Sequence, residues 1–247
     1  MSGTLIPLRH HEVPPAENPT GERLLDRSER PYRVWVPDGN VVVLGNSQDP
    51  EKELNVEAVT RDRIPVHKRM SGGGAVLLSP GCVCLGLRFA KRKELSIHDY
   101  FAKATALISE VVRERLGLEL RLRGTSDLAC SPSPGGALGI LSGQAEVSTG
   151  VDGSTERKVA GSSLYMPRDF VLYLTSILVD PDFSAIGKYL AHPSKEPDYR
   201  AGRDHSEFLG ALGPLSGKIV HAWELTACFE QKILAVPGLD LDWEQSR

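Results

Sequence analysis

The chain has 247 residues, of which 40% are hydrophobic and 25% are charged, and its formal net charge is -3. This composition is typical of a globular domain and excludes an intrinsically disordered chain. The longest apolar runs are far too short to span a bilayer, and the small negative charge argues against bulk attraction to nucleic acid.

The N-terminal segment has no basic stretch followed by an apolar one, so we expect no signal peptide and a cytoplasmic protein. Neither nucleic acid nor a membrane is an expected partner. The cysteines form no Cys-x-x-Cys pair and have no paired histidines at zinc spacing. This pattern predicts reduced thiols at Cys82, Cys84, Cys130 and Cys228.

Strand and helix patterns alternate along the first third of the chain. The predicted elements, in order, are a short helix over 20–26, strands over 33–36 and 41–44, a helix over 55–62 and a strand that starts at 65. An Asp-Gly-Asn turn follows Pro37 and joins the first two strands. Residues 75–89 are rich in apolar and β-branched side chains, and they predict a hairpin that is broken at Ser79-Pro80-Gly81.

Residues 96–116 give the clearest helical pattern, with apolar residues repeating at helical spacing. Ser96 can cap this helix, and Asp99 three residues later makes an imperfect capping box. Gly117 follows as the residue that ends the helix. Two more helices are predicted over 185–190 and 219–234, and the alternation of strands with helices favours an α/β architecture.

Residues 130–156 depart from this pattern because Gly, Ser and Pro are frequent there. Such a composition predicts a mobile loop, or at most an irregular hairpin. The segment joins Asp127 to Lys158, two polar residues that we expect near a ligand. It is interpreted either as a tolerated surface insertion or as an active-site flap.

Three consecutive glycines, Gly72, Gly73 and Gly74, follow a basic pair and lead into an apolar strand. Glycine has no Cβ, so the backbone N–H groups of such a run can approach an anion closely. The adjacent Arg69 adds a planar charged fork that suits a phosphate or a carboxylate. The run fits neither the P-loop nor the Gly-x-Gly-x-x-Gly pattern. From these residues alone it is either an anion cradle or a flexible turn between two strands.

Four blocks of sequence then carry a resemblance. They are Val-Val-Val-Leu-Gly-x-x-Gln at 41–48 with Glu-Leu-Asn at 53–55, Arg-Met-Ser-Gly-Gly-Gly-Ala-Val at 69–76, Gly-Thr-Ser-Asp-Leu at 124–128 and Arg-Lys-Val-Ala-Gly-Ser at 157–162. In this order they resemble the lipoate branch of the biotin and lipoate protein ligase family. A further stretch at 193–203 is similar to short bacterial members of that group.

The resemblance implies a single catalytic domain over 1–247, with its core at about 20–235 and no C-terminal accessory lobe. The implied fold is α/β (α+β), a mixed β-sheet flanked by helices as in class II aminoacyl-tRNA synthetases and biotin synthetase. The implied function is ATP-dependent ligation of lipoate or octanoate, through lipoyl-AMP, to a lysine of a lipoyl-carrier protein. Implied carriers are a glycine-cleavage H-like protein, a dehydrogenase E2 lipoyl domain or a dedicated lipoate-binding protein, with a possible small accessory ligase subunit.

The same resemblance assigns roles to residues. Lys158 is the implied catalytic residue, because its ammonium can neutralise charge between the acid and the α-phosphate. The implied ATP-binding residues are Arg69, Ser71, Gly72, Gly73, Gly74, Ala75, Val76, Leu77, Asp127 and Lys158. The implied lipoate-binding residues are Gly45, Arg69, Gly73, Lys158 and Gly161. Asp127 is also a candidate ligand for Mg²⁺ or for a ribose hydroxyl, with the cap of a turn or helix as the alternative.

Other functions stay open. The family's His-Gly-Thr is replaced by Leu174-Thr175-Ser176, so contacts made by that histidine are absent or replaced. One alternative is an acyltransferase that moves octanoyl between carriers through a cysteine thioester without ATP, which requires a thiol of lowered pKa. Another is a binding module that keeps the fold without catalysis. The presence of both Arg69 and Lys158 argues against that last reading.

Overall fold

A computed structural model describes residues 21–133, 156–236 and 239–242. Its strands are β1 Tyr32–Trp35, β2 Val41–Leu44, β3 Val66–Lys68, β4 Val76–Leu78, β5 Cys82–Ala90, β6 Arg121–Arg123, β7 Asp127–Cys130, β8 Arg157–Tyr165 and β9 Phe170–Leu178. Its α-helices are α1 Pro50–Glu53, α2 Val56–Arg61, α3 Ile97–Leu116, α4 Phe183–Tyr189, α5 His205–Phe208, α6 Leu212–Ser216 and α7 Ala222–Ala235, and 3₁₀ turns cover Glu22–Leu25 and Asp198–Arg200.

The strands form two sheets. The larger sheet has six strands in the order β1-β5-β9-β8-β7-β6, and every pair in it is antiparallel. The smaller sheet has the order β3-β2-β4, with β2 parallel to β3 and antiparallel to β4. The predicted combination of sheet and flanking helices is confirmed. Of the two sheets, only the small one combines a parallel with an antiparallel strand pair.

One predicted hairpin is wrong, and another predicted turn joins strands of different sheets. β1 and β2 are both present, but β1 pairs with β5 in the large sheet, whereas β2 is the central strand of the small one. Likewise β4 and β5 lie in different sheets, so residues 79–81 form a corner instead of a hairpin turn. Turn residues show where a strand ends, but they do not choose its neighbour, because pairing depends on which faces must be buried.

Helix α3 begins and ends where its sequence predicts. The Ser96 N–H donates to Asp99 Oδ2 at 2.7 Å, and the Asp99 N–H donates to Ser96 Oγ at 3.4 Å, which completes the capping box. Gly117 ends the helix with a φ of 74°. The apolar face of α3 packs with α7 against the large sheet, and each fully buried side chain such as Ile108 contributes roughly 1.5–3 kcal/mol.

The opposite face of the large sheet meets the small sheet. Val41, Val43 and Leu78 of the small sheet pack against Cys84 of β5, with Trp35 beside them. A separate core joins the small sheet to α2 and α4. The space that remains between the two sheets holds the cavities described below.

Arg88 ties the ends of the described chain to the large sheet. Its side chain is fully buried on β5. Its guanidinium donates to five backbone carbonyls, those of Leu24, Asp26, Arg27, Glu29 and Asp242. None of the helices in these described segments has the length and apolarity that crossing a bilayer requires.

Candidate active site

The glycine loop lies between β3 and β4 and packs against the residues that follow β2. The Asn46 N–H donates to the Ser71 carbonyl at 3.0 Å. A Cβ added to Gly45 would lie 2.1 Å from the carbonyl oxygen of Gly73, so only glycine allows the loop to come this close. The Gly45 N–H donates to Gln48 Oε1 at 2.8 Å. Gly45 and Gln48 therefore support the loop from behind.

Arg69 organises the loop from its other side. Its Nη2 donates to the carbonyls of Gly72 at 2.8 Å and Gly74 at 2.9 Å, its Nε donates to Gly72 at 3.2 Å, and its Nη1 donates to Val43 at 3.3 Å. Burial lowers the pKa of Arg69 to about 10, so the side chain is charged at neutral pH. Most of its donors are directed at backbone oxygens. Arg69 therefore shapes the loop, and its expected contact with a phosphate stays a prediction.

A β-bulge brings Lys158 to the site. The register between β7 and β8 shifts between Leu128 and Ala129, which leaves Val159 as the extra residue of β8. Side chains alternate along a regular strand, so one extra residue turns Lys158 to the same face as Gly161. That face looks towards the small sheet and the glycine loop.

Lys158 and Asp127, the residues on either side of the predicted insertion, form an ion pair. Lys158 Nζ lies 2.8 Å from Asp127 Oδ1, and the Tyr199 hydroxyl donates to Asp127 Oδ2 at 2.8 Å. Burial and the negative charge of Asp127 raise the pKa of Tyr199, which keeps its hydroxyl a neutral donor. A Cβ on Gly161 would lie 3.1 Å from Lys158 Nζ, so the glycine leaves room for the pair.

Two cavities meet at this pair. The first cavity lies between the sheets and has an apolar part lined by Trp35, Val43, Val76, Leu78, Cys84 and Leu174. Its polar part is lined by Ser162, Ser163, Thr175 and Ser176. The second cavity lies between β4, the turn before β7 and the segment that leads into α5. It is the larger of the two, at about 380 Å³ against about 130 Å³.

The residues common to both cavities mark the junction. They are Gly74, Ala75, Val76, Ser126, Asp127, Lys158, Gly161 and Ser176. Lys158 supplies the cation at this junction, and its side chain is 24% exposed, so a ligand can reach it. A molecule in one cavity and a second molecule in the other would both touch the Lys158 side chain.

Most of the predicted site residues line these cavities. Arg69 and Gly73 line the first, and Leu77 lines the second. Gly45, Ser71 and Gly72 line neither of these two cavities, and their predicted contact with a ligand stays a prediction. Ser71 Oγ lies 2.8 Å from Ser163 Oγ, so Ser71 fastens the glycine loop to the large sheet.

Sequence reasoning missed several cavity residues. Tyr199 and Arg200 lie in the stretch at 193–203. That stretch is similar to short bacterial family members, but the similarity assigns no role to its residues. Trp35 and Phe208 line the first and second cavity, respectively, and nothing in their local sequence distinguishes them from core residues. Their place in the site depends on which sheet each element joins.

The residues present limit how a metal ion could be held. Within 21–133, 156–236 and 239–242, no three His, Cys, Asp or Glu side chains cluster in a way that suits a metal ion. Both carboxylate oxygens of Asp127 already have protein partners. Mg²⁺ bound at this site would therefore take most of its oxygen ligands from a nucleotide and from water.

The three buried thiols are poor nucleophiles. Burial raises the pKa of Cys82, that of Cys84 further still, and that of Cys130 to about 12. Nucleophilic cysteines need the opposite shift. Cys82 and Cys84 are both buried on β5, and Cys130 ends β7 instead of lying in the insertion. The part of the insertion at 134–155 lies outside the described residues.

This two-sheet fold is shared with the catalytic domains of lipoate-protein ligases. A bipartite lipoate protein ligase from Thermoplasma acidophilum superimposes with a TM-score of 0.63 at 18% identity, over 86% of this chain and 74% of that chain. A lipoate-protein ligase A bound with ATP gives a TM-score of 0.60 at 18% identity, over 86% of this chain and 76% of that chain.

The sequence gives the family directly. The model for the lipoyl protein ligase A/B catalytic domain matches residues 21–231, and the chain belongs to this family. A probable lipoate-protein ligase A from Mycoplasma pneumoniae is 25% identical over 153 residues. That match covers 62% of this chain and 38% of the relative, so the chain spans less than two fifths of that relative's length.

Proposed function

We propose that this protein is an ATP-dependent ligase that activates lipoate or octanoate as an acyl-adenylate and transfers the acyl group to a lysine of a lipoyl-carrier protein. The observation that carries the proposal is the position of Lys158, whose side chain lines both cavities. An acid in the first cavity and a nucleotide in the second would present their reacting ends to the same ammonium. Membership of the lipoyl ligase family supports the same reaction class.

In the first step the acid's carboxylate oxygen attacks the α-phosphorus of ATP. A new oxygen–phosphorus bond forms, the bond to the β-phosphate oxygen breaks, and pyrophosphate leaves. Two anions must approach each other, which is unfavourable without a cation between them. The Lys158 ammonium supplies that charge, and its bond to Asp127 fixes its position before the substrates arrive.

In the second step a neutral lysine amine of the carrier attacks the acyl carbon. The carbon–nitrogen bond forms, AMP leaves with the former carboxylate oxygen, and the amine loses a proton to solvent. No cysteine takes part. The alternative thioester route needs a reactive thiol, and the raised pKa values of the three buried cysteines oppose it.

The first cavity suits an acyl chain, because part of its wall is apolar while the junction supplies polar groups for the carboxylate. Gly74, Ala75 and Val76 at the strand end line both cavities, and the backbone N–H groups of a glycine-rich loop suit a nucleotide phosphate. We assign the nucleotide to the larger second cavity. Mg²⁺ would arrive with the triphosphate, and Asp127 would supply at most one protein ligand.

The acceptor we propose is a lipoyl-carrier domain or protein with an exposed lysine. The similar ligase from Thermoplasma acidophilum is bipartite and has its own E2 lipoyl domain. This similarity supports a carrier of that kind for the present chain, together with a possible helper subunit. We further propose that residues at about 20–235 of this chain form one catalytic unit.

Trapping the activated acid tests the proposal. Purified protein is incubated with ATP, Mg²⁺, lipoate and hydroxylamine, and AMP and lipoyl hydroxamate are quantified together by mass spectrometry. We expect equal amounts of both products, with octanoate as a second substrate for comparison. Formation of AMP without hydroxamate, or of neither product, would contradict acyl-adenylate chemistry. Mixing with octanoyl carrier and no ATP tests the thioester route in parallel.

A further inference from the structure

A third cavity, of about 360 Å³, lies beside the glycine loop. Its wall includes Met70 on the loop, Ile97 at the start of α3 and Met166 just after β8. These three apolar side chains are 42%, 49% and 37% exposed, so the third cavity opens to solvent. No described side chain on its wall carries a charge, whereas the first and second cavities both contain Lys158.

Ser126 joins the third cavity to the active site. It lines all three cavities, and it immediately precedes Asp127, the partner of Lys158. The third cavity therefore reaches the junction at which the other two cavities meet. A group that enters through the third cavity arrives where the acid and the nucleotide are expected to react.

The Ser126 hydroxyl is free to bind such a group. Ser162 and Ser163 also lie between the first and third cavities, but their hydroxyls have protein partners. Ser162 Oγ lies 2.7 Å from the Tyr173 hydroxyl, and Ser163 Oγ lies 2.8 Å from Ser71 Oγ. Ser126 Oγ, in contrast, has no hydrogen-bond partner within the described segments of the chain, and it keeps accessible surface.

The second step of the reaction requires a third substrate group, the neutral amine of the acceptor lysine. The aliphatic stem of a lysine suits the apolar side chains of Met70, Ile97 and Met166. Its ammonium is disfavoured in a cavity whose described wall has no carboxylate, because water is removed and no opposite charge replaces it. Such surroundings lower the pKa of an entering lysine and increase its share of nucleophilic neutral amine.

We propose that the third cavity admits the acceptor lysine and that Ser126 Oγ accepts a hydrogen bond from its amine. The inference rests on the proposed function, since it gives the route of that reaction's last substrate. The amine nitrogen attacks the acyl carbon at the junction, the carbon–nitrogen bond forms, and AMP leaves with the former carboxylate oxygen. The proton that the amine loses passes to solvent, to which the third cavity is open.

Competition between two amines for the activated acid tests this route. Wild-type protein is incubated with ATP, Mg²⁺, lipoate, hydroxylamine and Nα-acetyl-lysine methylamide. Mass spectrometry then gives the ratio of lipoyl-lysine product to lipoyl hydroxamate. Synthetic lipoyl-AMP with the same two amines and no protein gives the ratio in solution.

The variants add a cation to the third cavity or remove the Ser126 hydroxyl. Ile97→Arg changes a residue that lines the third cavity but neither of the other two, and Met166→Arg replaces it if urea unfolding shows that Ile97→Arg is not folded. Ile219→Arg is the matched control, because Ile219 is 94% exposed and lines none of the three cavities. Ser126→Ala removes the proposed acceptor of the hydrogen bond.

We expect the wild-type ratio to exceed the solution ratio by about tenfold or more, because a bound lysine is held next to the acyl carbon. Ile97→Arg should lower the wild-type ratio by about tenfold or more, because the added cation repels the entering ammonium. Ser126→Ala should lower it by about 2- to 10-fold, as for one lost hydrogen bond. Ile219→Arg should keep the wild-type ratio.

A ratio for wild type that equals the ratio in solution would overturn the assignment. So would a folded Ile97→Arg protein with an unchanged ratio, or an equal fall for Ile219→Arg, since the added charge would then act independently of the third cavity. An unchanged ratio for Ser126→Ala would overturn the role of Ser126. AMP and the sum of both products report adenylation in the same samples, and wild type that forms none of them would contradict the proposed function itself.

Discussion

Gly45→Ala should disable the site without adding any group to either cavity. The new Cβ would lie 2.1 Å from the Gly73 carbonyl oxygen and 3.1 Å from its carbonyl carbon. Carbon–oxygen contacts of this type normally start near 3.3 Å, so the loop must retreat by roughly 1 Å. A displacement of about 1 Å in a positioning element costs on the order of 10²-fold in rate. We therefore expect lipoate-dependent ATP–pyrophosphate exchange to fall by about that factor.

Gly72→Ala is the control for this prediction. It adds the same methyl group to the same loop, yet a Cβ at Gly72 meets no atom within 4 Å. Both variants are compared with wild type by exchange rate, by ATP calorimetry and by urea unfolding. Folded Gly45→Ala protein with the exchange rate of Gly72→Ala would refute the argument that close packing behind the loop sets its position.

Three further outcomes follow from the same contacts. Asp127→Asn keeps an acceptor for the Tyr199 hydroxyl but removes the negative charge beside Lys158. Single-turnover adenylation, measured by rapid quench, should therefore slow by about tenfold or more. An unchanged rate would contradict a role for the ion pair in adenylation. Arg88→Met removes the guanidinium that donates hydrogen bonds to five backbone carbonyls, so the free energy of unfolding measured with urea should fall by about 3 kcal/mol or more. A loss below about 1 kcal/mol would show that water replaces those hydrogen bonds. Replacing Cys82, Cys84, Cys130 and Cys228 by Ser or Ala should leave ATP-dependent carrier labelling intact per folded molecule. Loss of labelling through one folded single-cysteine variant would instead support the thioester route.

Local sequence signals predicted the local features of this protein. The capping box of α3, the Gly117 end and the glycine loop depend on neighbouring residues, and each appears where expected. Sheet assignment depends on distant residues, which explains why the predicted hairpin of β4 and β5 is wrong and why the turn between β1 and β2 does not show that they lie in different sheets. The turn residues do not show that the chain passes from the large sheet to the small one after β1 and returns after β4.

The candidate site was predicted in outline for the same reason. Lys158 and Asp127 were named from their motifs, but the bulge at Val159 that turns Lys158 towards Asp127 has no sequence marker. Arg69 was correctly placed beside the loop, whereas its donors bind carbonyls that become available only once the loop is folded. Tyr199 belongs to the site because its hydroxyl donates to Asp127, a contact that no local sequence signal marks.

The central claim is that Lys158 joins an acid and a nucleotide during adenylation, and lipoate-dependent exchange of labelled pyrophosphate into ATP measures that step alone. We expect exchange by wild type and by Lys91→Ala, a variant of an exposed lysine that donates to the Pro167 carbonyl. Lys158→Ala should lower the exchange rate by on the order of 10² or more while remaining folded. Exchange by folded Lys158→Ala at the wild-type rate would contradict the account.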